Sequence, residues 1–145
     1  YADSEYLKEL MNERDWSPQI QYKGSTRTPL EEIVSFDVGL LPSCTEEMPY
    51  TIIEYLACQK PVIATAIGAI ADMLTTEDGA VAGVLIPLDA TGRPSKPHLK
   101  AAMKTCLDQP EQLATFASTT QKAFQPFDIK NTAACYYNLY KKIAQ

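Results

Sequence analysis

FDVGLLPSCTEEMPYTIIEYLACQKPVIAT, residues 36–65, decides how this chain folds. Asp37–Leu41 is a short apolar run closed by Pro42-Ser43, and Pro61–Ala64 is a second such run. Between them, Thr51–Cys58 carries Ile52, Ile53, Leu56 and Ala57 at the spacing of one helix face. The pattern predicts strand, tight loop, helix, turn, strand: a βαβ unit whose parallel strands are buried on both faces. Such sheets bind ligands beyond the carboxyl ends of their strands. The loop Ser43–Tyr50 lies at such an end and runs into the start of a helix. Pro49 suits the first helical position, because the N–H it lacks would be unpaired there anyway. The amides of Tyr50, Thr51 and Ile52 are then expected to point outward with the helix dipole behind them, an anion site whose usual tenant is phosphate.

Two acids sharpen this expectation. Glu46 lies in the loop and Glu54 on the helix, with seven residues between them. Glu54 falls one turn after Tyr50 and so flanks whatever sits at the helix start. A carboxylate accepts from two neighbouring hydroxyls, as on a ribose. Glu46 is placed either to accept from sugar hydroxyls or to face developing positive charge. The same spacing also fits acids that merely favour the dipole of a first helical turn, with Glu54 simply solvated.

LPSCTEEMPYTIIEYLACQKPVIAT resembles the nucleotide-sugar half of retaining GT-B glycosyltransferases of the group 1 type, family four. Their pattern is a strand ending in Pro-Ser, an E-x7-E motif, a helix closing on a small-residue segment before Gly-Lys-Pro-Val, and a strand ending in Ala-Thr. Glu46 and Glu54 match the two glutamates, and Lys60–Thr65 matches the following strand. Ala66–Ala71 is similar to the family's Val-Gly-Gly-Ile-Pro segment, and Gly83–Pro87 to its Gly-Leu-Leu-Val-Pro strand. The chain departs at Ala69, where the second Gly of the pair stands, and at Gln59, where a Gly precedes Lys-Pro.

The resemblance implies an α/β fold, a Rossmann-like parallel sheet with helices on both faces, as the C-terminal half of a GT-B fold. Residues 1–145 are then a single donor-binding domain, with the first strands and the acceptor-binding domain expected before Tyr1. The implied activity is transfer of a sugar from a nucleoside-diphosphate sugar to a hydroxyl, with retention of configuration. The acceptor would be a glycan or lipid-linked glycan, in polysaccharide or glycolipid synthesis. Carried over by position, Glu46 contacts the donor sugar as the catalytic carboxylate and Glu54 holds the ribose hydroxyls. The backbone of Met48, Pro49, Tyr50 and Thr51 lines the sugar and diphosphate. No metal or other cofactor is implied, and no D-x-D pair occurs in the chain. A catalytically silent nucleotide-binding or interaction module on the same scaffold is the alternative, since fold alone does not set function.

Composition bounds these readings. At 145 residues with 46% apolar and 21% charged residues, the chain fits one globular domain. A net charge of −5 and a pI of 4.8 argue against nucleic acid, which needs a basic footprint. No apolar run approaches the length of a membrane span. Four scattered cysteines without a C-x-x-C pair suggest a reducing compartment. With the resemblance, that implies a cytoplasmic location, with peripheral contact of the whole protein at the inner face of the membrane.

Elsewhere, Asp3 or Ser4 is expected to cap a helix over Glu5–Asn12, Trp16 falls in a turn, and Gln19–Tyr22 alternates as a short strand. Thr28 suits the cap of a helix over Leu30–Ser35. A helix over Ala69–Leu74, a strand over Val81–Pro87, a loop over Asp89–Pro97 and helices over Leu99–Leu107, Pro110–Phe124 and Ile129–Ile143 complete the reading. His98, the only histidine, is expected at the start of its helix as a surface or capping residue. Tyr136, Tyr137 and Tyr140 on the last helix fit either a domain interface or core and surface packing.

Overall fold

The computed structural model describes residues 21–144. The helix expected at Glu5–Asn12 with its cap at Asp3 or Ser4, the Trp16 turn, and Gln19 and Ile20 lie outside those residues, while Gln21 and Tyr22 are exposed and in no strand. Three strands, β1 (Gly39–Leu41), β2 (Val62–Thr65) and β3 (Gly83–Ile86), form a parallel sheet in the order β1-β2-β3. Leu40 pairs with Ile63, and Ile63 with Val84. The helices are α1 (Pro29–Ile33), α2 (Tyr50–Ala57), α3 (Ile70–Leu74), α4 (Lys96–Asp108), α5 (Pro110–Phe124) and α6 (Ile129–Ile143).

Period-two alternation along β2 explains the layering. Val62 and Ala64 face a core shared with Ile52 and Leu56 of α2, Ile70 and Met73 of α3, and Ala123 of α5. Ile63 faces the other way, against Ile86 and Ala102 of α4. All of β2 is buried, as expected of a strand covered on both faces. Strand β1 departs from that expectation. It lies at the edge of the described sheet, and Leu40 stays 41% exposed. Gly39 is required on its inner face, since a Cβ there would sit 2.5 Å from the Tyr55 ring. That ring meets Phe36 edge-on at 5.6 Å, and burial, followed by the charge of Glu54, raises the Tyr55 pKa.

Helix α2 ends in a Schellman motif. Lys60 N–H donates to the Tyr55 carbonyl and Gln59 N–H to the Leu56 carbonyl. The motif needs a left-handed residue after the cap, and Gln59 takes it with φ 57. Glycine usually occupies this position, and Gln59 carries a steric cost there.

Several expected boundaries shift by a residue or two. Helix α1 starts at Pro29, and Thr28, although at its N-cap, makes no side-chain cap; its hydroxyl lies 3.5 Å from that of Thr26 instead. Helix α4 begins at Lys96 rather than Leu99, because Pro97 fits the first turn, where no amide partner is needed. His98 therefore stands inside the helix, 2.7 Å through Nδ1 from Ser95 Oγ. Helix α6 is capped by Asp128, which accepts from the Lys130 amide at 2.9 Å. Tyr136, Tyr137 and Tyr140 are 57%, 60% and 65% exposed, which rules out core packing for them within the described residues. Helix α5 lies against both α2 and α3, and Lys122 on it pairs with Asp78 in the loop after α3.

Candidate functional site

Residues 42–49 connect β1 to α2 at the carboxyl end of the sheet. Pro49 is the N-cap of α2, not its first helical residue: its φ of −72 and ψ of 125 are extended. The reason is local, for its carbonyl turns inward to accept the Ile52 N–H at 3.1 Å. Ile52 is thereby removed from the set of outward amides. Tyr50 and Thr51 keep theirs without an intrachain partner among the described residues, at the positive end of the helix.

The sequence-predicted residues come together around this junction. Glu46 is half-buried in the loop, and one of its oxygens, Oε1, accepts from Ser43 Oγ at 2.9 Å. Met48 is 57% exposed and Tyr50 is 81% exposed, so Tyr50 offers the site its backbone rather than a packed ring. Thr51 and Glu54 are both half-buried, with Glu54 one turn beyond Tyr50 on the same helix. Cys44 is exposed on the loop, and all four thiols are free. Burial raises the Cys106 thiol pKa away from the site.

Residues from the next strand-to-helix turn brace this loop. Gly68 has φ 53, and a Cβ on it would lie 2.3 Å from the Glu46 carbonyl and 2.7 Å from that of Glu47. Ala69 N–H donates to the Glu47 carbonyl at 2.7 Å. Gly68 therefore serves close backbone approach as well as a tight turn. Ala69 does its share through its amide and has φ −87, open to any L-residue, so a side chain is tolerated where a second Gly stands in the resembled pattern. Sequence reading missed Ser43 as a partner of Glu46. Its signal was a hydroxyl three residues ahead of a carboxylate in a non-helical loop.

Among the described residues no cluster of three or more His, Cys, Asp or Glu side chains is placed to hold a metal ion. No helix among them is long and apolar enough to cross a membrane.

The parallel sheet, the helices on its two faces and the loop-to-helix junction at its carboxyl edge define the Rossmann-like half of a GT-B glycosyltransferase fold. A sucrose-phosphate synthase of Thermosynechococcus elongatus matches over 94% of the chain with a TM-score of 0.76 and 24% identity, using 33% of its own chain. The Anabaena protein HepE, solved in complex with UDP, matches over 94% of the chain with a TM-score of 0.77 and 22% identity, using 37% of its own. A HepE structure in complex with UDP-glucose matches over 97% at a TM-score of 0.75 and 22% identity, using 38% of that chain. By sequence, residues 2–108 match the model of the glycosyl transferases group 1 family, and the chain belongs to that family. A D-inositol 3-phosphate glycosyltransferase of Kineococcus radiotolerans is 30% identical over 115 residues, covering 75% of this chain. The chain spans 25% of that relative's length.

Proposed function

We propose that this chain is the donor-binding domain of a retaining glycosyltransferase. In this reading it holds a nucleoside-diphosphate sugar for transfer to a hydroxyl acceptor, a glycan or lipid-linked glycan held by an acceptor domain elsewhere in the whole protein. The observation that carries the reading is the junction at Pro49–Thr51. Two unpartnered amides face outward from a helix start, Glu46 stands before them and Glu54 one turn after. Membership of the group 1 family and the UDP and UDP-glucose bound by HepE support a uridine-type donor.

The chemistry follows from where charge develops. As the glycosidic bond breaks, the leaving diphosphate gains negative charge and the sugar gains positive charge. Amides fixed at the start of α2 stabilise the diphosphate more in the transition state than in the ground state, which is the condition for acceleration. Met48 and Pro49 shape the wall beside it through their backbone. Glu54 accepts from the two ribose hydroxyls, and Glu46 accepts from the donor sugar, where its charge also opposes the developing cation. No metal ion or other cofactor is assigned to the step. The reading places the whole protein in the cytoplasm, in contact with the inner membrane face, and in polysaccharide or glycolipid synthesis.

Titration of the whole protein with UDP tests the donor side. Glu54→Ala is expected to weaken UDP binding by about 1.5–3 kcal/mol, the range for hydrogen bonds to a charged group. Equal affinity of the two forms contradicts the ribose assignment. Glu46→Gln is expected to lower turnover far more than UDP affinity; normal turnover removes Glu46 from the mechanism and favours a silent binding module.

A further inference from the structure

Glu46 lies in a loop where neither helix nor sheet fixes its backbone, yet the proposed role asks its carboxylate to hold one direction. Two separate contacts supply that direction. The main chain is clamped by the turn after β2, where Ala69 N–H reaches the Glu47 carbonyl at 2.7 Å and Gly68 closes against the Glu46 carbonyl. The side chain is tethered from the end of β1, where Ser43 Oγ donates to Oε1 at 2.9 Å. Both Ser43 and Glu46 are half-buried, so water competes less for this bond than for an exposed one.

We propose that Ser43 is a positioning residue that aims the Glu46 carboxylate at the donor sugar, an inference that rests on the reading of Glu46 given above. A hydroxyl donor occupying one lone pair of Oε1 removes rotation about the terminal bond of the glutamate. Oε2 and the remaining lone pairs stay available for sugar hydroxyls. Among the described residues Ser43 makes no other side-chain hydrogen bond, and it does not cap α2, which starts seven residues later with Pro49 as its N-cap. A hydrogen bond to an ionised group is among the stronger ones, and holding a group in its productive direction before binding removes an ordering cost at binding.

The test compares UDP-glucose with UDP as ligands of the whole protein, because only the first carries the sugar that Glu46 would touch. Ser43→Ala is expected to weaken UDP-glucose binding about two- to tenfold, the scale of the ordering cost of one side chain, with UDP affinity unchanged. Ser43→Thr keeps a hydroxyl and is expected to restore most of the loss. Adding Ser43→Ala to Glu46→Ala, which removes the acceptor, is expected to cost nothing further, since the serine acts through the carboxylate. An equal loss for both ligands, or a full additional loss on top of Glu46→Ala, overturns the proposal and makes Ser43 a support of the loop as a whole. So does an unchanged Ser43→Ala protein beside a weakened Glu46→Gln protein. If instead Glu46→Gln itself binds UDP-glucose normally, or the unaltered protein does not bind it, the reading of the donor site fails first and takes this inference with it.

Discussion

Replacing Gly68 by alanine puts the architecture of the loop between β1 and α2 to its most direct test. The residue adopts φ 53, a left-handed conformation that costs an L-residue with a Cβ about 1–2 kcal/mol. The added methyl would stand 2.3 Å from the Glu46 carbonyl oxygen and 2.7 Å from that of Glu47. Carbon and carbonyl oxygen approach no closer than about 3.3 Å in ordinary contacts, so the loop backbone has to retreat by about 1 Å. Such a retreat stretches the 2.7 Å bond from Ala69 to Glu47 past hydrogen-bonding range, adding about 1 kcal/mol. The expected loss of stability is about 2–3 kcal/mol, read from the midpoint of urea unfolding at constant slope. Gly92→Ala is the internal standard. Gly92 has φ 74 but no atom within 4 Å of a built Cβ, so it carries the backbone cost alone, about 1–2 kcal/mol. In the whole protein, a loop displaced by about 1 Å is also expected to lower turnover by about a hundredfold, while Gly92→Ala leaves it unaffected. If Gly68→Ala unfolds at the same midpoint as Gly92→Ala and turns over normally, the turn after β2 is not a clamp on the loop.

Further outcomes follow from particular residues. Gln59→Gly is expected to raise stability by about 1 kcal/mol, by relieving the left-handed cost at the end of α2; an unchanged or lower urea midpoint counts against that strain. Thr65 Oγ1 is buried without a hydrogen-bond partner among the described residues, so Thr65→Val is expected to be neutral or stabilising by about 1 kcal/mol, and a loss above that by the same measure would reveal a partner. Leu56→Ala, at 1% exposure in the core beneath α2, is expected to cost about 2–5 kcal/mol in urea unfolding. The Asp78 carboxyl is lowered to about 2 by its hydrogen bonds from Lys122 and then Thr76. A depressed folded-state pKa gives stability that is complete above the unfolded value near 3.8 and lost as pH falls through about 2. Carbon-detected titration of Asp78 at pH 3 is therefore expected to show an ionised group in the native chain, and a more protonated one in Lys122→Met, where the Thr76 hydrogen bond remains.

Much of this architecture was legible in residues 36–65. Apolar runs flanking a helical period gave the parallel pair β1–β2 with α2 between them, because strands buried on both faces leave no polar alternation to read. What escaped was set by neighbours distant in sequence. Nothing near Leu40 announces that its face stays open, since that depends on what covers the edge strand. Pro49 was placed one position too far into the helix because a missing N–H suits N1 and N-cap alike; its carbonyl bond to Ile52 decided between them. Contiguity and helical spacing put Glu46, Pro49, Tyr50, Thr51 and Glu54 at one loop-to-helix junction, whereas Met48 and the role of each residue came from the family resemblance. The partners that hold it, Ser43 and Gly68, belong to loop geometry, where one short-range hydroxyl-to-carboxylate pattern has many possible outcomes.

Helix α5 packs against α2 from more than fifty residues further along the chain, with Ala123 completing the core that Ile52 and Leu56 begin. On the ribosome, the loop before α2 and the helix itself emerge well before the segment that covers them. Until residue 124 or so is made, the core that β2, α2 and α3 share lacks the part of its cover that Ala123 supplies, and contacts of such sequence separation are slow to close. The loop-to-helix junction of this domain is thus written early but completed late. Its apolar underside is the surface most in need of a chaperone while translation proceeds.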